Sequence, residues 1–163
     1  MNKRNKRLLI LAALGILLIG SAALCPYRLI IVSGDSMTPT YHSGQLLFGK
    51  KQIFCRDEPF RRGEVVLFRH HGETCLKRIY ALPGDEVVIF RLGEGFNLLI
   101  QAGEYMRYYR LVEEIGSARI DRFDVPEGEL FLLGDAPQLS LDSRDFGPVP
   151  QSAVLARLPG SER

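Results

Sequence analysis

Two residues in this chain have the type and setting for hydrolytic chemistry: Ser36 in "SGDSMTPT" (Ser33 to Thr40) and Lys77 in "TCLKRIYALPGDEV". Gly34 frees the backbone before Ser36 and Pro39 stiffens it after, so a constrained turn at a strand end could present the hydroxyl. A serine hydroxyl is hardly ionised at neutral pH, so it needs a base. The candidates are His42, His70, His71 and the lysines. His42 falls in a polar loop and His70 and His71 in the turn-like "RHHGE", so none is a persuasive triad member. Lys77 differs. Strand alternation places Cys75, Lys77 and Ile79 on one face and Leu76 and Arg78 on the other, setting the ammonium among apolar neighbours. Desolvation disfavours the charged form, and lowering a lysine from ~10.4 to ~7–8 corresponds to roughly 4 kcal/mol. A neutral amine could then deprotonate Ser36. The spacing alone leaves open a lysine that snorkels from a strand edge instead.

The elements that must position this pair read mostly as strands. "YRLIIV", "GQLLFGKK", "GEVVLFRH", "TCLKRIYAL", "DEVVIFRL", "NLLIQAG", "GELFLLG" and "AVLARL" are short apolar or alternating runs divided by Gly, Pro and Asp. Only "YMRYYRLVEEI" offers a turn or two of helix. The pattern predicts a β-rich, barrel-like domain. At 163 residues the chain has room for one such core, with no internal repeat.

Ahead of that domain, Leu8 to Cys25 is an uncharged run of 18 residues, about 27 Å as a helix at roughly 1.5 Å per residue. Lys3, Arg4, Lys6 and Arg7 precede it and no charge follows until Arg28, which predicts a cytoplasmic N-terminus and a translocated body. The expected organisation is a basic tail (1–7), a membrane anchor (8–25) and an extracytoplasmic catalytic domain (26–163) with a smaller β insertion at about 90–124. A cleaved secretory signal ending near Ser21 to Ala23, or a lipid-bearing Cys25, is the alternative for the N-terminal segment.

The formal charge is +2, from 21 basic and 19 acidic residues. Without the four basic residues of the tail, 17 face 19, a net of −2, and the basic residues of the body are interspersed with acids. That excludes a nucleic-acid footprint. Three cysteines in an exported domain permit one bridge, and Cys55 with Cys75 is the candidate pair within the body. No cysteine spacing points to zinc and no glycine pattern to nucleotide, so neither metal nor cofactor is expected.

Three blocks taken together, "SGDSMTPT", "LKRIYALPGDEV" and "LLGDAPQLSLDSRDFGPVP", resemble in content and order the type I signal peptidases, membrane-bound Ser/Lys endopeptidases. The resemblance runs from Ile30 to Leu158. It implies that Ser36 is the nucleophile and Lys77 the general base. Ser140 would position the lysine, with Asp142 and Arg144 as a supporting charge pair and Met37 lining the pocket for a small substrate side chain. It also implies an extended peptide paired with strand edges near Ile30 to Val32 and near Cys75, Leu76 and Lys77, with cleavage after small, Ala-X-Ala-like residues. The partners implied are exported precursor proteins and the lipid bilayer. The chain departs from the pattern at "GDAPQLS", where relatives commonly carry an Asn after Gly-Asp. It departs again at Gly34, which cannot supply the hydroxyl some relatives place in the oxyanion hole. The Ser36 backbone N–H remains one donor, and Ser33 is the candidate for the second.

Rival readings remain at this stage. One is a maturation protease of the same chemistry dedicated to a single substrate, such as a pilin or a conjugation component. Another is a self-cleaving regulator with a related site, for which an apolar anchor stands where a DNA-binding segment would be. The third is a non-catalytic anchored β-domain that binds exported chains.

Overall fold

A computed structural model describes residues 24–92, 96–101 and 118–158. The basic tail and nearly all of the apolar run, together with "YMRYYRLVEEI", lie outside the described residues. Among the described residues no helix is long and apolar enough to cross a membrane.

The described chain is mostly strand. Its strands are β1 (Tyr27–Ile31), β2 (Leu46–Lys51), β3 (Val65–His70), β4 (Glu73–Ala81), β5 (Glu86–Leu92), β6 (Phe96–Gln101), β7 (Ala118–Asp124), β8 (Glu129–Leu133), β9 (Val149–Pro150) and β10 (Val154–Leu158). Seven form one sheet in the order β1-β2-β10-β3-β4-β8-β9, and β6-β5-β7 form a second sheet of three. Every pairing is antiparallel. The expected barrel-like closure is not found. β1 and β9 end the large sheet without meeting, and β9 is two residues long with a proline that has no N–H to extend a ladder. The β5–β7 strand pair extends the sheet character of the "DEVVIFRL" region through "ARIDRFD", a strand the charged residues of that stretch conceal.

Three apolar clusters hold this together. Val66, Phe68, Ile79, Leu130, Leu132, Val149 and Val154 fill one face of the large sheet. Ile30, Met37, Val65, Leu67, Ala156 and Leu158 fill the other, as the period-2 alternation along β3 requires. Ala81, Val87, Ile89, Val125 and Phe131 join the small sheet to β4 and β8. A buried cation pins one end: Arg157 donates to the carbonyls of Pro59 (3.0 Å) and Glu58 (2.7 Å) and to Gln52 Oε1 (2.9 Å), with its guanidinium over the Phe60 ring. It thereby folds the 52–60 loop onto β10, which neutral side chains could not do with so many carbonyls to satisfy.

Past β8 the chain turns through a 3₁₀ segment, Pro137–Leu139, into the four-residue helix α1 (Ser143–Phe146). Asp142 caps α1: its carboxylate accepts the Arg144 N–H, while Asp145 Oδ2 accepts the Asp142 N–H at 3.2 Å, a reciprocal capping box. Ser143 Oγ accepts the Leu132 N–H at 2.9 Å, fastening α1 to β8. At the far side His70, at the end of β3, stacks on Phe146 with ring centroids 4.1 Å apart.

Candidate active site

β4 and the turn after β1 bring the two expected reactive groups together. Lys77 Nζ lies 2.7 Å from Ser36 Oγ, hydrogen-bonded across 41 residues of sequence. Lys77 stands opposite Val66 on β4, on the face that Cys75 and Ile79 share, and is only 5% exposed. Burial is the main influence on its amine and pushes the pKa below the ordinary lysine value; the nearby Asp142 charge opposes this and Arg144 adds to it. None of His42, His70 and His71 holds this place: His42 and His71 are exposed, and His70 is packed on Phe146.

Ser36 is presented by a turn that local hydrogen bonds shape. Thr38 donates from both its N–H (3.1 Å) and its hydroxyl (2.8 Å) to the Asp35 carbonyl, and the Tyr41 N–H donates to the Met37 carbonyl at 2.9 Å. Gly34 sits at φ +82°, a conformation that L side chains rarely adopt, and its N–H donates to Ser43 Oγ at 3.3 Å. Below the turn Met37 is buried among Ile30, Val65 and Leu67, so its side chain anchors the serine loop in the core. Ser33 is exposed.

The third sequence block closes the site from the other side. Asp142, fully buried, receives Arg144 Nε at 2.8 Å on Oδ1 and Arg144 Nη2 at 2.9 Å on Oδ2. Oδ2 also accepts the Gly134 N–H (2.9 Å) and the Ser140 hydroxyl (2.6 Å). Burial alone would push this carboxyl up, but Arg144, the Gly134 amide and Ser140 outweigh it and hold Asp142 below the usual carboxylate range. Ser140, expected to address the lysine, thus gives its hydroxyl proton to Asp142. The altered "GDAPQLS" loop is tied at both ends: the Ala136 N–H donates to the Ser36 carbonyl at 3.0 Å and the Pro137 carbonyl accepts from Arg144 Nη2 at 2.8 Å. Gly134 permits the convergence, because a Cβ there would lie 2.2 Å from Ser140 Oγ and 2.6 Å from the Ser36 carbonyl oxygen.

One residue pair was not singled out from the sequence. Arg78 makes a two-pronged ion pair with Asp135, Nε to Oδ1 at 2.8 Å and Nη2 to Oδ2 at 2.6 Å, and donates to the Gly63 carbonyl at 2.7 Å and Thr40 Oγ1 at 3.3 Å. It ties β4 to the Gly134 loop and to the serine turn at once. Its signal was adjacency: the residue after Lys77 and the residue after Gly134. Of the residues expected along the substrate path, Ile30 and Val32 are buried, Cys75 and Leu76 half-buried. Cys25, Cys55 and Cys75 are all free thiols, so the Cys55–Cys75 bridge does not form. Cys55 is buried with its thiol toward the Lys51 carbonyl, whereas Cys75, opposite Phe68 on β4, packs among Val66 and Phe68. A cleft of about 1300 Å³ between β1, the 52–60 loop and β10 includes neither Ser36 nor Lys77 in its lining.

The family model described as "Signal peptidase, peptidase S26" matches residues 4–159. The chain belongs to this family. The peptidase is 32% identical to a signal peptidase I of Bacillus licheniformis over 88% of this chain and 81% of that protein. It is 25% identical to a signal peptidase IB of Staphylococcus aureus over 86% of this chain and 78% of that protein. A crystal structure of a signal peptidase I from Enterococcus faecalis aligns with TM-score 0.42 and 25% identity over 62% of this chain and 97% of that one. Membership makes the chain a hydrolase of the signal peptidase I type.

Proposed function

We propose that this peptidase removes N-terminal signal peptides from exported precursors by Ser/Lys acyl transfer, cutting after small, Ala-X-Ala-like residues. The observation that carries the reading is the 2.7 Å approach of a buried lysine amine to Ser36 Oγ. Neutral Lys77 takes the hydroxyl proton as Oγ bonds to the scissile carbonyl carbon, and the electron pair of the C=O moves onto oxygen. As that oxyanion collapses the C–N bond breaks, and the Lys77 ammonium returns the proton to the leaving amine. Water, deprotonated by the same amine, then opens the acyl-Ser36 ester. The Ser36 N–H is available to the oxyanion. Ser140, Asp142 and Arg144 support the site by fixing the Gly134 loop against the Ser36 carbonyl.

Substrate would bind by strand addition. Among the described residues β1 pairs only with β2, and β4 pairs with β8 only from Arg78 onward, so within them Glu73 to Lys77 keeps an open edge beside the reactive pair. The reading sets residues 8–25 as anchor and the body extracytoplasmic; contact with a membrane is supported by an apolar face along the β1–β2 pair, where Leu29, Ile31, Leu46 and Phe48 are exposed.

Cleavage of a precursor bearing an Ala-X-Ala site, by wild type and by folded Ser36→Ala and Lys77→Ala, tests the reading. Each variant is expected to lose at least about a thousandfold in kcat with little change in folding. Full-rate cleavage by Lys77→Ala would overturn the mechanism, and an inert wild type on general precursors would move the assignment to a dedicated substrate.

A further inference from the structure

One side chain of the small sheet hydrogen-bonds to the active-site block. Arg91, on β5, donates from Nη2 to the Arg144 carbonyl at 2.6 Å and from Nε to Asp121 Oδ2 on β7 at 2.5 Å. Asp121 also accepts Arg119 Nε at 2.9 Å, and it lies across from Ile89 in the β5–β7 register. The face of this sheet is therefore apolar at one end and ionic at the other. Val87, Ile89 and Phe123 pack toward Phe131, while Arg91, paired with Asp121, reaches α1.

Why that carbonyl needs a partner follows from the length of α1. A helix of four residues leaves its last carbonyls without intrahelical donors. The Asp142 carbonyl receives the Asp145 and Phe146 N–H groups and the Ser143 carbonyl receives that of Gly147, but the Arg144 carbonyl points out of the turn. A guanidinium there satisfies it and places positive charge at the end of the helix where the peptide dipoles favour it. Arg144 is the residue whose side chain holds both oxygens of Asp142, and Asp142 in turn holds Gly134 and Ser140.

We propose that Arg91, oriented by Asp121, is a positioning residue for proteolysis: it clamps the Arg144 carbonyl and so fixes the Asp142–Arg144 turn against the Ser36–Lys77 pair. The small sheet then has a role beyond covering β4 and β8. This rests on the Ser/Lys reading above. Arg91 touches no reacting atom; it acts through Arg144. Release of the clamp lets α1 shift and admits water beside Lys77, whose charged or titratable neighbours are Asp142, Arg144 and Cys75. Better hydration favours the ammonium, so the acid limb of kcat/KM moves to higher pH.

The test is steady-state cleavage of a peptide with an Ala-X-Ala site across pH by the full chain in detergent, comparing wild type, Arg91→Met, Arg91→Lys, Asp121→Asn and Ser36→Ala. Arg91→Met keeps the stem and loses the clamp. Its kcat is expected to fall about tenfold with KM within about twofold, since small misplacements in a positioned site act on the transition state. Its acid limb is expected to rise, and Arg91→Lys should restore much of both. Asp121→Asn should show the same signature more weakly. A folded Arg91→Met with wild-type kcat and an unmoved acid limb overturns the proposal. So does a loss of activity that only tracks the folded fraction. If Arg91→Met does not fold, Asp121→Asn decides by the same signature. Retained activity in Ser36→Ala would instead sink the Ser/Lys reading, and the clamp with it.

Discussion

Lys77 carries the clearest conflict between stability and use. The strand buries its amine beside apolar residues, and burial lowers its affinity for the proton. Between that lowered folded value and the ordinary 10.5, the unfolded chain binds more protons than the folded one, so stability rises with pH across the window. Lys77→Met removes the group that causes this. The variant is expected to be more stable than wild type at about pH 7, with the advantage shrinking toward pH 10, as read by urea midpoints at both pH values. The same lysine sets activity in the opposite sense to an acid catalyst: kcat/KM should climb with pH through the lowered pKa and then level off. Equal stability of Lys77→Met and wild type at both pH values would show that burial costs the ammonium little here. Asp142 lies on the other side of this balance. Its ionised form is held by Arg144, Gly134 and Ser140, so the stability it contributes is present above the ordinary carboxylate pKa and is lost as pH falls through the lowered one.

At the scale of elements, the loop from Gly134 to Ser140 depends on one absent methyl group. A Cβ on residue 134 would meet Ser140 Oγ at 2.2 Å, Ser140 Cβ at 2.5 Å and the Ser36 carbonyl at 2.6 Å, and a backbone oxygen cannot rotate away. Gly134→Ala is expected to cost about 1–3 kcal/mol of stability and to lower kcat by at least about tenfold, because relief must displace the serine turn or Ser140. Thermal melts and kcat measured together check this; a variant with wild-type kcat would mean the loop yields without moving either. How much of this was legible follows from the forces involved. Strand alternation placed Lys77 with Cys75 and Ile79, because period-2 geometry is local. The meeting of Lys77 with Ser36 is long-range, and spacing alone left it undecided until the three blocks were read together. The ion pairs of Arg78 with Asp135 and of Arg91 with Asp121 join residues 57 and 30 apart, and no local pattern marks such pairs. The large sheet stays open where the strand pattern predicts closure, because runs of short strands do not encode whether the last edges meet.

For the whole molecule, the deciding feature is where apolar surface is left in water. "YRLII" is apolar at almost every position, so the sequence could not say which of its faces is buried. The fold turns Ile30 into the core and leaves Leu29 and Ile31 outside, 53% and 66% exposed, directly across from Phe48 and Leu46 at 68% and 59%. These cross-strand neighbours form one patch, and Leu24 and Tyr27, also exposed, extend it toward the apolar run that ends at Cys25. Such a patch gains nothing from water and would gain from the apolar edge of a bilayer, at about 25 cal/mol per Å² of apolar surface covered. If residues 8–25 anchor the chain, the β1–β2 face lies where it could rest on the lipid and hold the open edge of β1 level with precursors still in the membrane. The double variant Leu46→Ser, Phe48→Ser on β2 in the full chain, reconstituted in liposomes, is therefore expected to cleave a liposome-anchored precursor about tenfold more slowly than wild type while cutting a soluble peptide at the same rate, since neither side chain enters the core, touches Ser36 or lies on the open edge of β1. Equal slowing on both substrates would place the damage in the fold of β1 and β2. Equal rates on both would mean the face does not meet the lipid, and the exposed apolar side chains would need another partner.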